Sequence, residues 1–240
     1  MKQFNIITVY PDFFESFKNH GLIKKGLLKK LIEINILNIR NFTDDKHKRV
    51  DFKPYGGGPG MIIQYCPVKK AIDSLNQGKT IMLSPQGERL TQKKLACLSN
   101  ESNLNFICGW YEGVDQRIID NLVDEEISIG DYVLSGGEIP AAAVIEGIVR
   151  LIPDIAENMS SIENDSFSNQ LLEYPQYTKP NLVDGLSVPD VLISGNHSEV
   201  ERWRRKHSLG VTMLKRPDLL KNVNLSKEDD RLLQEFIAEQ

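Results

Sequence analysis

The sequence predicts an α/β protein in which a parallel sheet carries helices on both faces and a small helical C-terminal domain follows. Three observations point there. Short β-rich runs alternate with amphipathic segments over the first two-thirds of the chain, the pattern of strand–helix–strand units. Polar stretches rich in Gly and Pro follow several of those runs, where sheets of this kind carry their binding loops. At residue 153 the texture changes, and an aperiodic polar segment precedes a second helical region.

The expected strands are FNIITV (4–9), INILNI (34–39), TIML (80–83), NFIC (105–108) and EISI (126–129). Between the first two, LIKKGLLKKLI places Leu22, Ile23, Leu27, Leu28, Leu31 and Ile32 at helical spacing. TQKKLACLS from Thr91 and AAAVIEGIVRLI ahead of Pro153 read as further helices. PDIAENMSSIENDSFSNQ (153–170) is polar and lacks periodicity, as a linker or mobile loop would. Beyond it, Asn196 with Glu199 and Ser226 with Asp229 match the capping-box spacing that opens a helix. The expected organisation is a sheet domain over 1–156, a linker over 157–171 and a helical domain over 172–240.

Composition narrows the class. With 40% hydrophobic and 26% charged residues over 240 positions, the chain can bury a sizeable core. No apolar run approaches the ~20 residues that span a bilayer, and MKQFNIITVYPDFF has no apolar core or cleavage site of a signal peptide. No membrane association is expected. Cys66, Cys97 and Cys108 are odd in number and widely spaced, and His20, His47, His197 and His207 are scattered, so neither a disulfide framework nor a zinc site is suggested. A reducing cytosol fits. The net charge of −4 argues against nucleic-acid binding, yet residues 196–221 hold seven Lys/Arg against three acids. Charge alone reads that cluster as a solvated helix face.

Several familiar motifs fail. GKT (78–80) lacks the first glycine of a phosphate-binding P-loop and leads into a strand. YGGGPGM (55–61) does not fit G-x-G-x-x-G, and neither G-x-S-x-G nor H-E-x-x-H occurs. What remains are three backbone-rich stretches near strand ends: LSPQGE (83–88), CGWYEG (108–113) and IGDYVLSGGE (129–138). Singly, their glycines need only permit tight turns or close helix packing. Together they suit a site that grips an adenine and an amino-acid-like group through the main chain.

These stretches, with YGGGPGM, ENDSF, LEYPQYTKP, VPDVLISGNH and ERWRRKHSL in that order and spacing, resemble the bacterial tRNA (guanine-37-N1)-methyltransferases of the knotted SPOUT superfamily. The resemblance runs from Met1 to the region of Arg216 and Pro217. It implies a deep trefoil knot, which general topology rules disfavour, and a homodimer whose active sites are completed across the interface. It implies S-adenosylmethionine held by Leu83, Ser84, Pro85 and Gln86, by Gly109, Tyr111, Glu112 and Gly113, and by Ile129, Gly130, Asp131, Tyr132, Val133, Leu134, Gly136, Gly137 and Pro140. It also implies a magnesium requirement, for which no ligand spacing is visible, and a helical domain that grips the anticodon branch of tRNA. In that light Arg202, Arg204, Arg205, Lys206, Lys215 and Arg216 become candidate phosphate contacts.

The implied reaction methylates N1 of the guanosine at position 37. N1 carries a proton and needs a general base, which the resemblance assigns to Asp165. Charge building toward O6 needs a cation, for which Arg150 matches, although Arg150 could equally serve a helix C-terminus. Trp110 departs from the Arg or His common at its position. It could stack on a base or pack at a dimer interface.

Overall fold

The computed structural model describes residues 1–156 and 165–239. Chain contacts divide the protein into two compact units, 1–157 and 158–240. In the first unit the order is β1 (Lys2–Thr8), α1 (Phe13–Lys18), α2 (Gly21–Leu28), β2 (Ile32–Asn38), β3 (Asp51–Phe52), β4 (Ile62–Ile63), α3 (Tyr65–Asp73), β5 (Lys79–Arg89), α4 (Gln92–Leu98), β6 (Asn103–Cys108), α5 (Gln116–Leu122), β7 (Glu125–Ser128) and α6 (Glu138–Arg150). A short 3₁₀ turn (Ile39–Phe42) follows β2, and β3 pairs with β4 as a small ribbon. All five expected strands form, and they pair in parallel in the order β2-β1-β6-β5-β7.

Strand alternation assigns the two faces. Phe4, Ile6, Ile81, Leu104 and Phe106 point into one core with Phe14, Ile23, Leu95, Val144, Ile145 and Ile148, from α1, α2, α4 and α6. Ile7, Met82 and Ile107 point the other way, against Val68, Ala71 and Ile118 from α3 and α5. Helices therefore cover both faces, as a parallel sheet requires. On the second face a polar row crosses four strands. Asn35 donates to Asn5 Oδ1 at 3.1 Å, Asn5 donates to Asn105 Oδ1 at 2.8 Å, and Asn105 donates to Thr80 Oγ1 at 3.4 Å. Each of these pairs is directly opposite in register, and Asn5, Asn105 and Thr80 are buried.

Two elements differ from expectation. Helix α2 stops at Leu28, because Lys30 turns left-handed at φ 57° and Leu31 N–H returns to Gly26 C=O at 3.0 Å, a C-terminal closure. Ile32 therefore begins β2 instead of extending the helix. Strand β5 does not end before LSPQGE. Leu83 and Glu88 both pair with Ile127, so residues 84–87 loop out of a strand that then resumes. Gly87 makes this possible, since a Cβ there would lie 2.4 Å from the backbone of Glu126 and Ile127.

The second unit contains a two-residue ribbon, β8 (Leu182–Val183) with β9 (Leu186–Ser187), then α7 (Asp190–Ile193), α8 (His197–Lys215), α9 (Pro217–Leu220) and α10 (Lys227–Ala238). Asn196 caps α8 by accepting from Glu199 N–H, and Ser226 with Asp229 forms a reciprocal capping box on α10. Of the expected linker, residues 157–164 lie outside the described residues. Leu171 is buried with Leu209 and Leu232 in the core of the second unit. No described helix is long and apolar enough to cross a membrane.

Replacing Asn5 by Leu is expected to cost about 1–3 kcal/mol, because the Asn35 donor and the Asn105 acceptor lose their partner inside the sheet. Urea unfolding of the variant beside the parent protein checks this; an unchanged midpoint would mean that the row contributes nothing.

Candidate active site

Strands β6, β5 and β7 lie side by side, so the stretches that leave the carboxyl ends of β6 and β7 neighbour the excursion within β5. They enclose a cleft of about 460 Å³. Leu83, Ser84, Pro85 and Gln86 line it, as do Gly109, Tyr111, Glu112 and Gly113, and Ile129, Gly130, Tyr132, Val133, Leu134, Gly136, Gly137 and Pro140. Asp131 is the one cofactor candidate that does not line it. Val114, Gln116, Ile119 and Ser135 also face the cleft; Ser135 lies within IGDYVLSGGE, Val114 and Gln116 directly follow CGWYEG, and nothing in the sequence marks Ile119. The β4 ribbon braces this wall: Ile63 N–H donates to Gly113 C=O at 3.0 Å and Asp115 N–H to Ile63 C=O at 2.9 Å. Tyr111 takes φ 61° at the apex of the tight turn closed by Gly113 N–H on Trp110 C=O. Burial pushes its phenol above the ordinary range, helped by the nearby Asp51 carboxylate.

The adjacent glycines of LSGGE have a packing explanation. A Cβ at Gly137 would sit 2.7 Å from Cys108 Cα, and one at Gly136 would sit 2.2 Å from the Trp110 indole nitrogen. Gly137 N–H donates to Gly109 C=O at 2.9 Å, so helix α6 starts in direct contact with the end of β6. Both glycines still line the cleft, but what approaches their backbone most closely is the protein itself. Cys108 beneath them is buried, and desolvation raises its thiol well above the usual range, with the Glu138 carboxylate adding to the effect.

A second hollow, of about 660 Å³, shares Trp110 with the cleft and is lined by Tyr10, Phe13, Arg40, Leu134, Glu138 and Ile139 among others. Arg150 is the last residue of α6 in the first unit. In the second unit, Asp165 lines a small cavity of about 160 Å³ with Arg204, Arg205, Glu173 and Tyr174. Among the described residues, no group of three His, Cys, Asp or Glu side chains could hold a metal ion.

The family described as tRNA (Guanine-1)-methyltransferase TrmD matches residues 1–222 of the chain. Relatives carrying the name tRNA (guanine-N(1)-)-methyltransferase agree along nearly the whole length. The protein of Buchnera aphidicola subsp. Baizongia pistaciae is 48% identical over 96% of this chain and 95% of its own. That of Shewanella halifaxensis is 48% identical over 97% and 96%, and that of Vibrio vulnificus 48% identical over 98% and 96%. The chain belongs to the tRNA (guanine-N1)-methyltransferase family. Its members act on tRNA, and the polyanion puts the cations of the second unit in question.

Those cations are heavily paired. Arg202 donates to both Glu235 oxygens at 2.7 Å, Arg204 to Glu201 at 2.6 Å, Arg205 to Asp229 at 2.6 Å and Arg216 to Asp218 at 2.6 Å. Lys206 is buried, and its ammonium donates to Glu239 at 2.6 Å. In this geometry Lys206 ties α8 to the end of α10. Lys215 is exposed.

The Arg205 guanidinium, with the Ser226 cap behind it, holds the Asp229 carboxyl down at about 2. An Asp that titrates below its ordinary value of ~3.9 lends stability that is complete above that pH and is lost as pH falls through the folded value. Asp229→Asn is therefore expected to lower the melting temperature at pH 7 and to flatten its decline between about pH 4 and pH 2. Thermal melts by circular dichroism across that range check both; a parallel decline in variant and parent would remove Asp229 from the account.

Proposed function

We propose that this protein transfers a methyl group from S-adenosylmethionine to N1 of the guanosine at position 37 of tRNA, just 3′ of the anticodon. Family membership supports tRNA and guanine N1. The convergence of sixteen of the seventeen expected cofactor residues on one cleft supports the donor. That cleft fits such a nucleoside in its chemistry: main chain from three glycine-containing stretches, apolar walls from Leu83, Ile129, Leu134 and Pro140, and the Glu112 carboxylate for a cationic part. At Gly113, with φ 118°, nothing lies within 4 Å of where a Cβ would stand, so the backbone there is open to a ligand.

S-adenosylmethionine, when bound, supplies a methyl group made electrophilic by its sulfonium. The protein's own residues do the rest. The Asp165 carboxylate accepts the N1 proton, which leaves a lone pair in the ring plane for bond formation. The Arg150 guanidinium stabilises the negative charge that spreads toward O6 as that proton leaves. The cleft walls keep the reacting groups aligned and dry. Arg202, Arg204, Arg205, Lys215 and Arg216 would position the tRNA backbone, with phosphates taking over from the carboxylates that now hold the arginines. The described residues offer no cluster for magnesium, and no step is assigned to it.

The SPOUT-type knot, a homodimer and a cytosolic location complete the proposal. Tyr10, Phe13, Tyr132, Val133, Leu134 and Ile139 are exposed around the two hollows, a concentration of apolar surface that favours a second copy over open water.

The direct test incubates the protein with S-adenosylmethionine, magnesium and an unmodified tRNA carrying guanosine at position 37, then locates any methyl by nucleoside mass spectrometry and primer extension. One N1-methylguanosine at that position is expected. Asp165→Ala should lose about a hundredfold to ten-thousandfold in rate while still binding the donor; turnover at the parent rate would remove Asp165 from the base role. A methyl on another nucleotide would keep the chemistry and move the substrate.

Replacing Arg204 and Arg205 by Gln should weaken tRNA binding and reduce the slope of log affinity against log salt by roughly one per cation. Filter binding across a salt series reads this, and an unchanged slope would return the cluster to a purely structural role.

A further inference from the structure

Glu138 is a carboxylate where packing alone would favour an apolar side chain. It stands at the first turn of α6, is only 3% exposed and sits above the buried Cys108. A buried carboxylate is costly unless its oxygens are hydrogen-bonded. Both are. Thr8, at the end of β1, donates its hydroxyl to Oε1, and the Trp110 indole N–H donates to Oε2. Thr8 Oγ1 also accepts from Tyr10 N–H at 2.9 Å. One side chain therefore joins the end of β1, the turn after β6 and the glycine stretch that leads into α6.

Trp110 is the third partner in this arrangement. Its ring packs on Tyr10 with centroids 4.4 Å apart, its backbone bridges to Gly136, and its indole fills the space that a Cβ at Gly136 would need. It lines both the 460 Å³ cleft and the 660 Å³ hollow, as do Leu134, Ser135 and Gly136, so Trp110 belongs to a wall of each. Glu138 lines the hollow and not the cleft.

We propose that Glu138 is a positioning residue for the methyl-donor cleft, which it governs by holding the Trp110 indole in place. Without that anchor the ring is released toward either space, and the wall of the cleft is lost. Because Glu138 does not face the cleft, its effect on the ligand passes through Trp110. An indole at position 110 keeps a hydrogen bond to Glu138 without a charge on the donor. This inference rests on the reading of the cleft as the S-adenosylmethionine site.

The test measures binding, not turnover. The chain has two tryptophans, and Trp203 lies in the second unit, so Trp203→Phe leaves Trp110 as the sole indole reporter. In that background, titration with S-adenosylmethionine or S-adenosylhomocysteine is followed by indole emission and by calorimetry. The parent should bind with a change in emission. Glu138→Ala should weaken binding about tenfold or more and shift the emission of the free protein to the red, since a lost hydrogen bond to a charged group is worth at least that factor. Glu138→Gln should stay within about threefold of the parent, because its carbonyl can accept from the indole while its amide donates to a turned Thr8 hydroxyl.

Trp110→Phe, measured by calorimetry, should match Glu138→Ala, and the double variant should be no worse than either alone, the signature of a single shared interaction. Folded Glu138→Ala that binds like the parent, or effects of the two substitutions that simply add, would overturn the proposal. If Glu138→Ala does not fold, Trp110→Phe decides, and parent-like binding by it has the same consequence. A parent protein that binds neither nucleoside would instead overturn the reading of the cleft, and the inference with it.

Discussion

The register of four parallel strands rests on a single polar row, from Asn35 through Asn5 and Asn105 to Thr80. Apolar side chains on a buried sheet can interdigitate in more than one register, because burial is not directional. An amide in that setting has few acceptable partners, and a slip by one residue would turn every one of them to the opposite face. The row thus fixes the relative heights of β2, β1, β6 and β5, and with them the levels of the stretches carried by β5 and β6; β7 takes its level from its own pairing with β5. The cleft follows from that alignment: Leu83, where the excursion leaves β5, is paired with Cys108 at the end of β6 and with Ile127 near the end of β7.

Much of this was legible in the sequence, for physical reasons. Strands buried on both faces are rich in apolar β-branched residues, which marks all five strands of the main sheet, while the two-residue strands β3, β4, β8 and β9 are too short to carry such a signal. The loops were visible because backbone-rich binding stretches use Gly and Pro, which stand out from their surroundings. Helix α2 ends four residues short of the expected Ile32, since Leu31 and the first residue of β2 happen to continue its spacing and only the left-handed turn at Lys30 separates them. The excursion within β5 was hidden for another reason. A strand that leaves and resumes looks like a strand followed by a loop, and only pairing with β7 shows that Glu88 and Arg89 rejoin the sheet.

The site was less legible than its loops. Thr8 and Glu138 are 130 residues apart, and neither carries a motif; their partnership exists only in three dimensions. The pair of glycines before Glu138 drew attention to ligand binding, while the contacts assign their smallness to Cys108 and Trp110. A glycine says that something comes close. It does not say what.

The pairing of the helical unit's cations bears on kinetics. Residues 165–239 contain ten Lys/Arg and twelve Asp/Glu, so this unit presents no net positive field to a distant polyanion. Electrostatic steering, which accelerates encounter from beyond a Debye length, needs such a field. Capture of RNA by this surface would then proceed by exchange at contact: a phosphate arrives by diffusion and displaces a carboxylate from an arginine already in place. Salt would shorten the lifetime of the complex far more than it slows its formation, a division that stopped-flow association and dissociation rates would separate.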